Sequence, residues 1–221
     1  MTRRTLGGLG SAVVLAVVAM GFVAPPALAQ APTITWNAAE RYTGTVGISG
    51  QATMPGGSSR VDSVTVSMSS AAGHPVPDPQ PFAGNGTNTR SFSIEPSLPY
   101  NGVYTVTASA VGRDGPVPDF DSPETSSISR TFSLSARPAP PASLKASVNQ
   151  TKRTVTLSWT ESPEPDVFAY GVYREFDDGT LDAGTVVEGK KTTTYTHQLG
   201  SLPADTYRYQ VLAVRPNADG T

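Results

Sequence analysis

The 221 residues carry 16 Lys and Arg against 18 Asp and Glu, a formal net charge of −2, with Gly 21, Pro 20 and no Cys. Zero cysteine excludes disulfides, thiolate zinc sites and cysteine nucleophiles, and His 2 leaves little material for histidine-based acid–base catalysis or metal ligation. Hydrophobic residues at 38% are too many for a disordered chain, while charged residues at 15% fall below the usual ~25%, their surface role passing to Ser and Thr. Such a balance of Ser, Thr, Gly and Val suggests a β-rich chain.

Chain order begins with a targeting segment. Arg3 and Arg4 form a positive start, Ala12 to Val23 an apolar stretch, and Ala27-Leu28-Ala29 a small-residue cleavage site, so residues 1–29 are expected to be a signal peptide with Gln30 the first mature residue. The apolar run is shorter than the ~20 residues a spanning helix needs, and Pro25 and Pro26 follow it, so no membrane span is expected in the mature chain. Thr2-Arg3-Arg4-Thr5-Leu6 resembles a twin-arginine export signal, from which Gly7 departs; paired arginines also occur in general secretory signals, and the route stays open. Loss of Arg3 and Arg4 leaves 14 basic residues against 18 acidic, a net of −4. Lys and Arg are then scattered singly except at Lys152-Arg153 and Lys190-Lys191, which excludes a nucleic-acid patch.

Between 33 and 136 apolar residues alternate with hydroxyl residues, the period-two pattern of strands with one buried face. Val46, Ile48 and Ala52 share one parity, as do Val64, Val66 and Met68, then Phe92 and Ile94. Tyr104, Val106, Ala108 and Ala110 form the most regular run, and Phe132 with Leu134 supplies a last strand. Pro55-Gly56-Gly57-Ser58 and Asn101-Gly102 read as turns between them. This spacing predicts an antiparallel sandwich over 30–137. Arg137-Pro138-Ala139-Pro140-Pro141 then breaks every period, and 138–141 is expected to be a short, semi-rigid linker.

From Ala142 the strands resume. Leu144-Lys145-Ala146, Val155-Thr156-Leu157-Ser158-Trp159, Pro165-Asp166-Val167 leading to Tyr170-Gly171-Val172-Tyr173-Arg174, and Leu202-Pro203-Ala204-Asp205-Thr206-Tyr207 together resemble a fibronectin type III domain over 138–221. Val155, Leu157 and Trp159 lie on one strand face, and the Trp brings a large apolar area to a core with no disulfide. The resemblance implies that Tyr207 forms a tyrosine corner and Leu202 plugs the sandwich end. It also implies a strand after the one running from Tyr207 to Arg215, whereas Asn217 to Thr221 reads as a turn; the second domain, 142–221, is therefore expected to lack its final strand and the chain to be a fragment. Less specifically, the first domain resembles the broad bacterial immunoglobulin-like class. Its Leu98-Pro99-Tyr100-Asn101-Gly102-Val103-Tyr104 echoes the turn-then-Tyr entry of the second. The whole is an all-β chain of two tandem antiparallel β-sandwiches, resembling actinobacterial secreted proteins in composition and domain pairing.

Candidate chemistry is sparse. His74 sits in a proline-studded loop and is read as solvated; His197 shares parity with Tyr195 and Leu199 and is read as a half-buried, hydrogen-bonded residue. No Gly-x-Ser-x-Gly elbow supports a serine hydrolase. Asp114, Asp119, Asp121 and Glu124 crowd the loop 112–127, but without EF-hand spacing they read as a solvated acidic loop rather than a calcium site. Phe120 in that loop is a candidate contact residue. Tyr173, Leu212 and Val214 have the parity opposite to the core and mark a candidate interaction surface on the outer face of two neighbouring strands. The sequons at Asn85 and Asn149 matter only in a glycosylating host.

Neither catalytic residues nor a cofactor or metal is expected. The functional expectation is a secreted or cell-envelope, non-catalytic modular protein, monomeric by default, serving as a spacer, adhesion or binding module toward an extracellular protein or glycan. The alternative is an accessory region of a secreted, polysaccharide-degrading enzyme whose catalytic domain lies beyond residue 221.

Overall fold

A computed structural model describes residues 30–114, 122–203 and 206–220. All regular structure among them is β: β1 (Thr33–Asn37), β2 (Arg41–Tyr42), β3 (Ile48–Thr53), β4 (Arg60–Ser70), β5 (Gln80–Ala83), β6 (Thr89–Ile94), β7 (Gly102–Arg113) and β8 (Glu124–Leu134), then β9 (Lys145–Asn149), β10 (Thr154–Ser158), β11 (Ala169–Glu175), β12 (Thr185–Glu188), β13 (Thr194–Gln198) and β14 (Arg208–Val214). No helix among the described residues is long and apolar enough to cross a membrane.

In the first sandwich a three-stranded sheet, β1-β3-β6, faces a five-stranded sheet, β2-β8-β7-β4-β5. Every pairing is antiparallel except the two-residue β2, which runs parallel to the end of β8. The alternation read in the sequence becomes burial: along β7, Tyr104, Val106, Ala108 and Ala110 are fully buried while the Thr and Ser between them face outward. Val46, Ile48, Ala52, Met54, Val61, Val64, Val66, Phe92, Phe132 and Leu134 complete this core. Tyr42 locks the parallel strand in place, its ring edge-on to Phe132 at 5.1 Å and its hydroxyl donating to Gly47 O at 2.8 Å. Outward hydroxyls pair across strands, as between Thr107 and Ser129 at 2.7 Å.

At Asp62 the pairing of β4 with β7 slips by one residue, a bulge. Asp62 has no partner across the ladder, and its carboxylate instead accepts from Arg60 and Arg113, each Nε at 2.8 Å. Gly84 N–H donates to Asp62 O at 2.7 Å, an approach that a side chain would forbid, since a Cβ there would lie 2.1 Å from Val61 O.

The second sandwich sets β13-β10-β9 against β12-β11-β14, again all antiparallel. Its core is Val155, Leu157, Trp159, Val167, Tyr170, Val172 and Val211. Trp159 is 6% exposed and meets the Tyr170 ring edge-on at 5.3 Å. The Tyr170 hydroxyl accepts from Ser162 N–H and donates to Lys190 O, both at 2.9 Å, so one buried side chain ties down the loops on either side of β11 and β12. Tyr207 donates to Pro203 O, the corner that the fibronectin type III resemblance implied, and Tyr104 makes the equivalent bond to Tyr100 O at 2.8 Å in the first sandwich. Two β-sandwiches of the immunoglobulin and fibronectin type III kind therefore stand in tandem.

Candidate functional site: the junction between the sandwiches

Asp166 lies in the loop between β10 and β11, and Arg215 directly follows β14. Their side chains meet in a double contact, Arg215 Nη2 and Nε to Asp166 Oδ2 at 2.7 and 3.1 Å, and are only 6% and 9% exposed. A buried pair of this kind contributes little net stability, but removing one partner strands the other charge. What the pair does is reach across. The same Asp166 Oδ2 accepts Asn101 N–H at 2.9 Å, and Arg215 Nη2 donates to Pro99 O at 2.9 Å.

Asn101 completes the joint from the first sandwich. Its side-chain amide donates to Ala136 O at 3.0 Å and to Pro216 O at 2.9 Å, while its Oδ1 accepts Ala136 N–H at 2.8 Å. The sequence pattern marked Asn101-Gly102 as a turn. Instead Asn101 is buried and β7 begins at Gly102, because the amide group is spent on holding three chain segments together. Ala218 N–H donates to Ser135 Oγ at 3.1 Å and adds a further bond between the two sandwiches.

The proline linker is fastened as well. Ala139 N–H donates to Glu164 Oε1 at 3.0 Å, and Ser162 Oγ–H donates to the other oxygen of the same carboxylate. Burial alone would raise the Glu164 carboxyl, but the Ser162 and Ala139 hydrogen bonds, with the Arg215 charge nearby, outweigh it and hold the group below the usual carboxylate range. Tyr104, close behind the joint, is pushed up by burial and by the Asp166 charge.

The residues of the expected interaction surface share the strand parity opposite to the core but differ in how far they project. Tyr173 is half-buried: its ring lies over Gly171 and Gly184, where added Cβ atoms would come within 2.8 and 2.5 Å of it. It therefore fills a groove in its own sheet rather than projecting. Leu212 is 43% exposed, opposite Gly171 on the outer face, with Val186 exposed on the other side of that glycine; Val214 is half-buried. Phe120 and Ala29 lie outside the described residues, and Gln30 is exposed.

His74 is not free in solvent. It stacks on the Tyr100 ring at 4.5 Å between centroids, close over Gly102. His197 Nδ1 is 2.7 Å from the Tyr209 hydroxyl, a bond between the two sheets of the second sandwich. Among the described residues no group of three or more His, Asp or Glu is placed to hold a metal; Asp119 and Asp121 of the acidic loop fall outside them.

No protein-family model matches the chain, and no curated protein sequence matches it. Among solved structures it is similar to the FN1–FN3 domains of chicken CNTN1, at 14% identity and a TM-score of 0.34, over 86% of this chain. The chain spans 63% of the length of that structure. At that level of superposition the likeness carries no functional argument, and the sandwich description rests on the strands themselves.

Proposed function

We propose that the chain is exported and serves, without catalysis, as a stiff two-sandwich spacer or binding module in the cell envelope or outside it. The observation that supports this is the junction: the Asp166, Arg215 and Asn101 side chains are nearly buried and join the sandwiches through hydrogen bonds, two of them charge-assisted and one between the neutral Asn101 amide and Pro216 O, whereas tandem domains with small polar contacts swing by default. A spacer gains reach only if its units hold their relative angle, and a charged joint sets an angle more strictly than an apolar one of similar area. Export follows from the segment 1–29, and its expected product begins at Gln30. The composition, rich in Ala, Gly and Pro, supports an actinobacterial type of secreted protein.

The test is small-angle scattering, with spin-label distances between one label on β5 and one on β12. The protein should give a narrow distance distribution, and Asn101→Ala should broaden it while leaving the circular dichroism of both sandwiches unchanged. A distribution equally broad in both proteins would refute the stiff-spacer reading. N-terminal sequencing of exported material tests the rest: Met1 retained on the exported protein would refute cleavage.

A further inference from the structure

The tip of the second sandwich holds a guanidinium without an acceptor. Arg174 stands near the end of β11, whose register sets Glu175 opposite Arg208 at this end and Ala169 opposite Val214 at the other, so the tip is the end away from Arg215 and the junction. The Arg174 side chain is 18% exposed. Among the described residues its guanidinium donates no hydrogen bond: Nε is buried without a partner, and the carboxylate oxygen beside it, Asp182 Oδ2, is 4.0 Å away. Two aromatic rings hold it instead, with the Phe176 and Tyr207 centroids 4.7 and 6.0 Å from its central carbon. A shielded donor with no acceptor is a cost to the fold, and it calls for a group that supplies one.

Arg174, Phe176 and Tyr207 line a pocket of about 230 Å³ together with Glu175, Asp177 and Pro203. The two carboxylates are held but not used up. Glu175 Oε2 accepts from Gln210 Nε2 at 2.9 Å, and Asp177 Oδ1 stands 3.8 Å from Arg208 Nη1 with its side chain 93% exposed. Each keeps a second oxygen with free lone pairs. Phe176 is 42% exposed, so its ring offers surface that Arg174 does not cover. An apolar ring, a fork of unpaired N–H donors and two carboxylate acceptors thus converge on a space the size of a small molecule.

Charge decides what fits. Asp182 already faces the Arg174 charge, and Glu175 and Asp177 in the pocket wall repel an anion, so the free donors do not select a carboxylate or phosphate. A cation would meet the guanidinium. A neutral ligand that accepts and donates, and that has a face of C–H bonds to lay on a ring, satisfies every group present. A sugar ring is built this way: each hydroxyl is both donor and acceptor, and its C–H bonds present positive charge to the negative face of an aromatic ring.

We infer that this pocket binds a single neutral sugar ring of a glycan. The C–H face of the sugar lies on Phe176, its hydroxyl oxygens accept from Arg174, and its hydroxyls donate to Glu175 and Asp177. This deepens the binding-module part of the proposed function by naming a ligand class, whereas the distances that test the stiff junction do not depend on it, so the two can fail separately.

The experiment titrates the ¹⁵N-labelled protein with the neutral methyl glycosides of glucose, mannose, galactose and N-acetylglucosamine, each to the order of 50 mM, a range that covers the weak affinity of one ring. At least one should shift the Arg174 Nε–H signal and the amides of 174–177 and 206–208 saturably, leaving the Asn101 and Ala136 amides at the junction unmoved. The uronic acid and amino sugar of the same ring should bind about tenfold more weakly, the first repelled by the two carboxylates and the second by Arg174. Phe176→Ala, at a ring exposed enough to lose without unfolding the sandwich, should abolish the shifts. Arg174→Lys, which keeps the charge but replaces the fork by one ammonium, should weaken binding about tenfold. Val186→Ala on the exposed outer face should leave it unchanged, and the remaining amide spectrum of each variant reports its folding. No saturable shift with any of the four glycosides, tighter binding of the uronic acid, or indifference of a folded Phe176→Ala or Arg174→Lys protein would each overturn the proposal.

Discussion

The two sandwiches bury apolar strands by the same rule but differ in how they end. In the first, β8 covers β7 and β2 covers β8, so Tyr104 is completely buried and its corner hydroxyl bonds in a dry setting. Among the described residues the second has β14 at the edge of its sheet, and its corner residue Tyr207 is half-exposed at the mouth of a cleft. Closure, rather than the number of apolar residues, sets how much each core side chain contributes, because a contact open to water on one side loses the dispersion and dehydration it would gain inside. Stability should therefore be uneven along the chain, with the second sandwich melting first.

Trp159→Ala should separate the two sandwiches most strongly. Trp159 is the largest buried side chain of the weaker unit, and truncating large aromatics in cores costs about 3–5 kcal/mol. For a unit whose whole stability is of the order of 5–15 kcal/mol, the second sandwich should lose most of its cooperative transition. Trp36 remains in the first sandwich as a fluorescent reporter, and its urea midpoint should stay where it was. A parallel fall in the Trp36 transition would mean that the two units unfold as one.

Overpacking probes the closed sandwich. A Cβ at Gly50 would lie 2.5 Å from the Phe92 ring, 2.5 Å from Thr35 O and 2.7 Å from Trp36 Cβ. One of these atoms is backbone and cannot turn aside, so Gly50→Ala should cost about 1–3 kcal/mol, lowering the first transition and sparing the second. No change in the Trp36 midpoint would show that this core is looser than its burial implies.

Replacing each corner tyrosine by phenylalanine compares the two units directly. Tyr104→Phe leaves Tyr100 O without its donor in a buried site, which should cost about 1 kcal/mol; Tyr207→Phe, where water can replace the donor, should cost less, about 0.5 kcal/mol. Equal costs in the two melts would contradict the difference in closure.

How much of this was legible in sequence follows from the range of the forces involved. The β7 alternation and the placing of Trp159 inward are local consequences of a two-residue period, and both the all-β class and the tandem sandwiches could be read from such runs. Asn101 could not, because its partners Asp166 and Pro216 are 65 and 115 residues away and its own neighbourhood, Asn-Gly, is a turn signal. Tyr173 was assigned to the right face, but its ring folds onto Gly184, whose positive φ of 71° belongs to a loop that periodicity does not describe. The stacking of His74 on Tyr100 was hidden for the same reason: no period links a loop residue to the entry of a strand.

The smallest expected effect tests how the linker is held. Glu164 keeps its charge below the usual carboxylate range because Ser162 and Ala139 donate to it against the opposing effect of burial. A carboxyl depressed in the folded state contributes stability that is fully present above its ordinary pKa of about 4.3 and is lost as pH falls through the lower folded value. Acidification should thus release the Ala139 N–H before it disturbs either core, loosening the linker while both sandwiches stay folded. In ¹⁵N spectra the Ala139 amide should titrate with a midpoint below the ordinary carboxylate pKa, and in Glu164→Gln it should be flat over the same range. A midpoint at or above the ordinary value would mean that burial outweighs the two donors, and the linker would then be anchored by the prolines' stiffness rather than by this carboxylate.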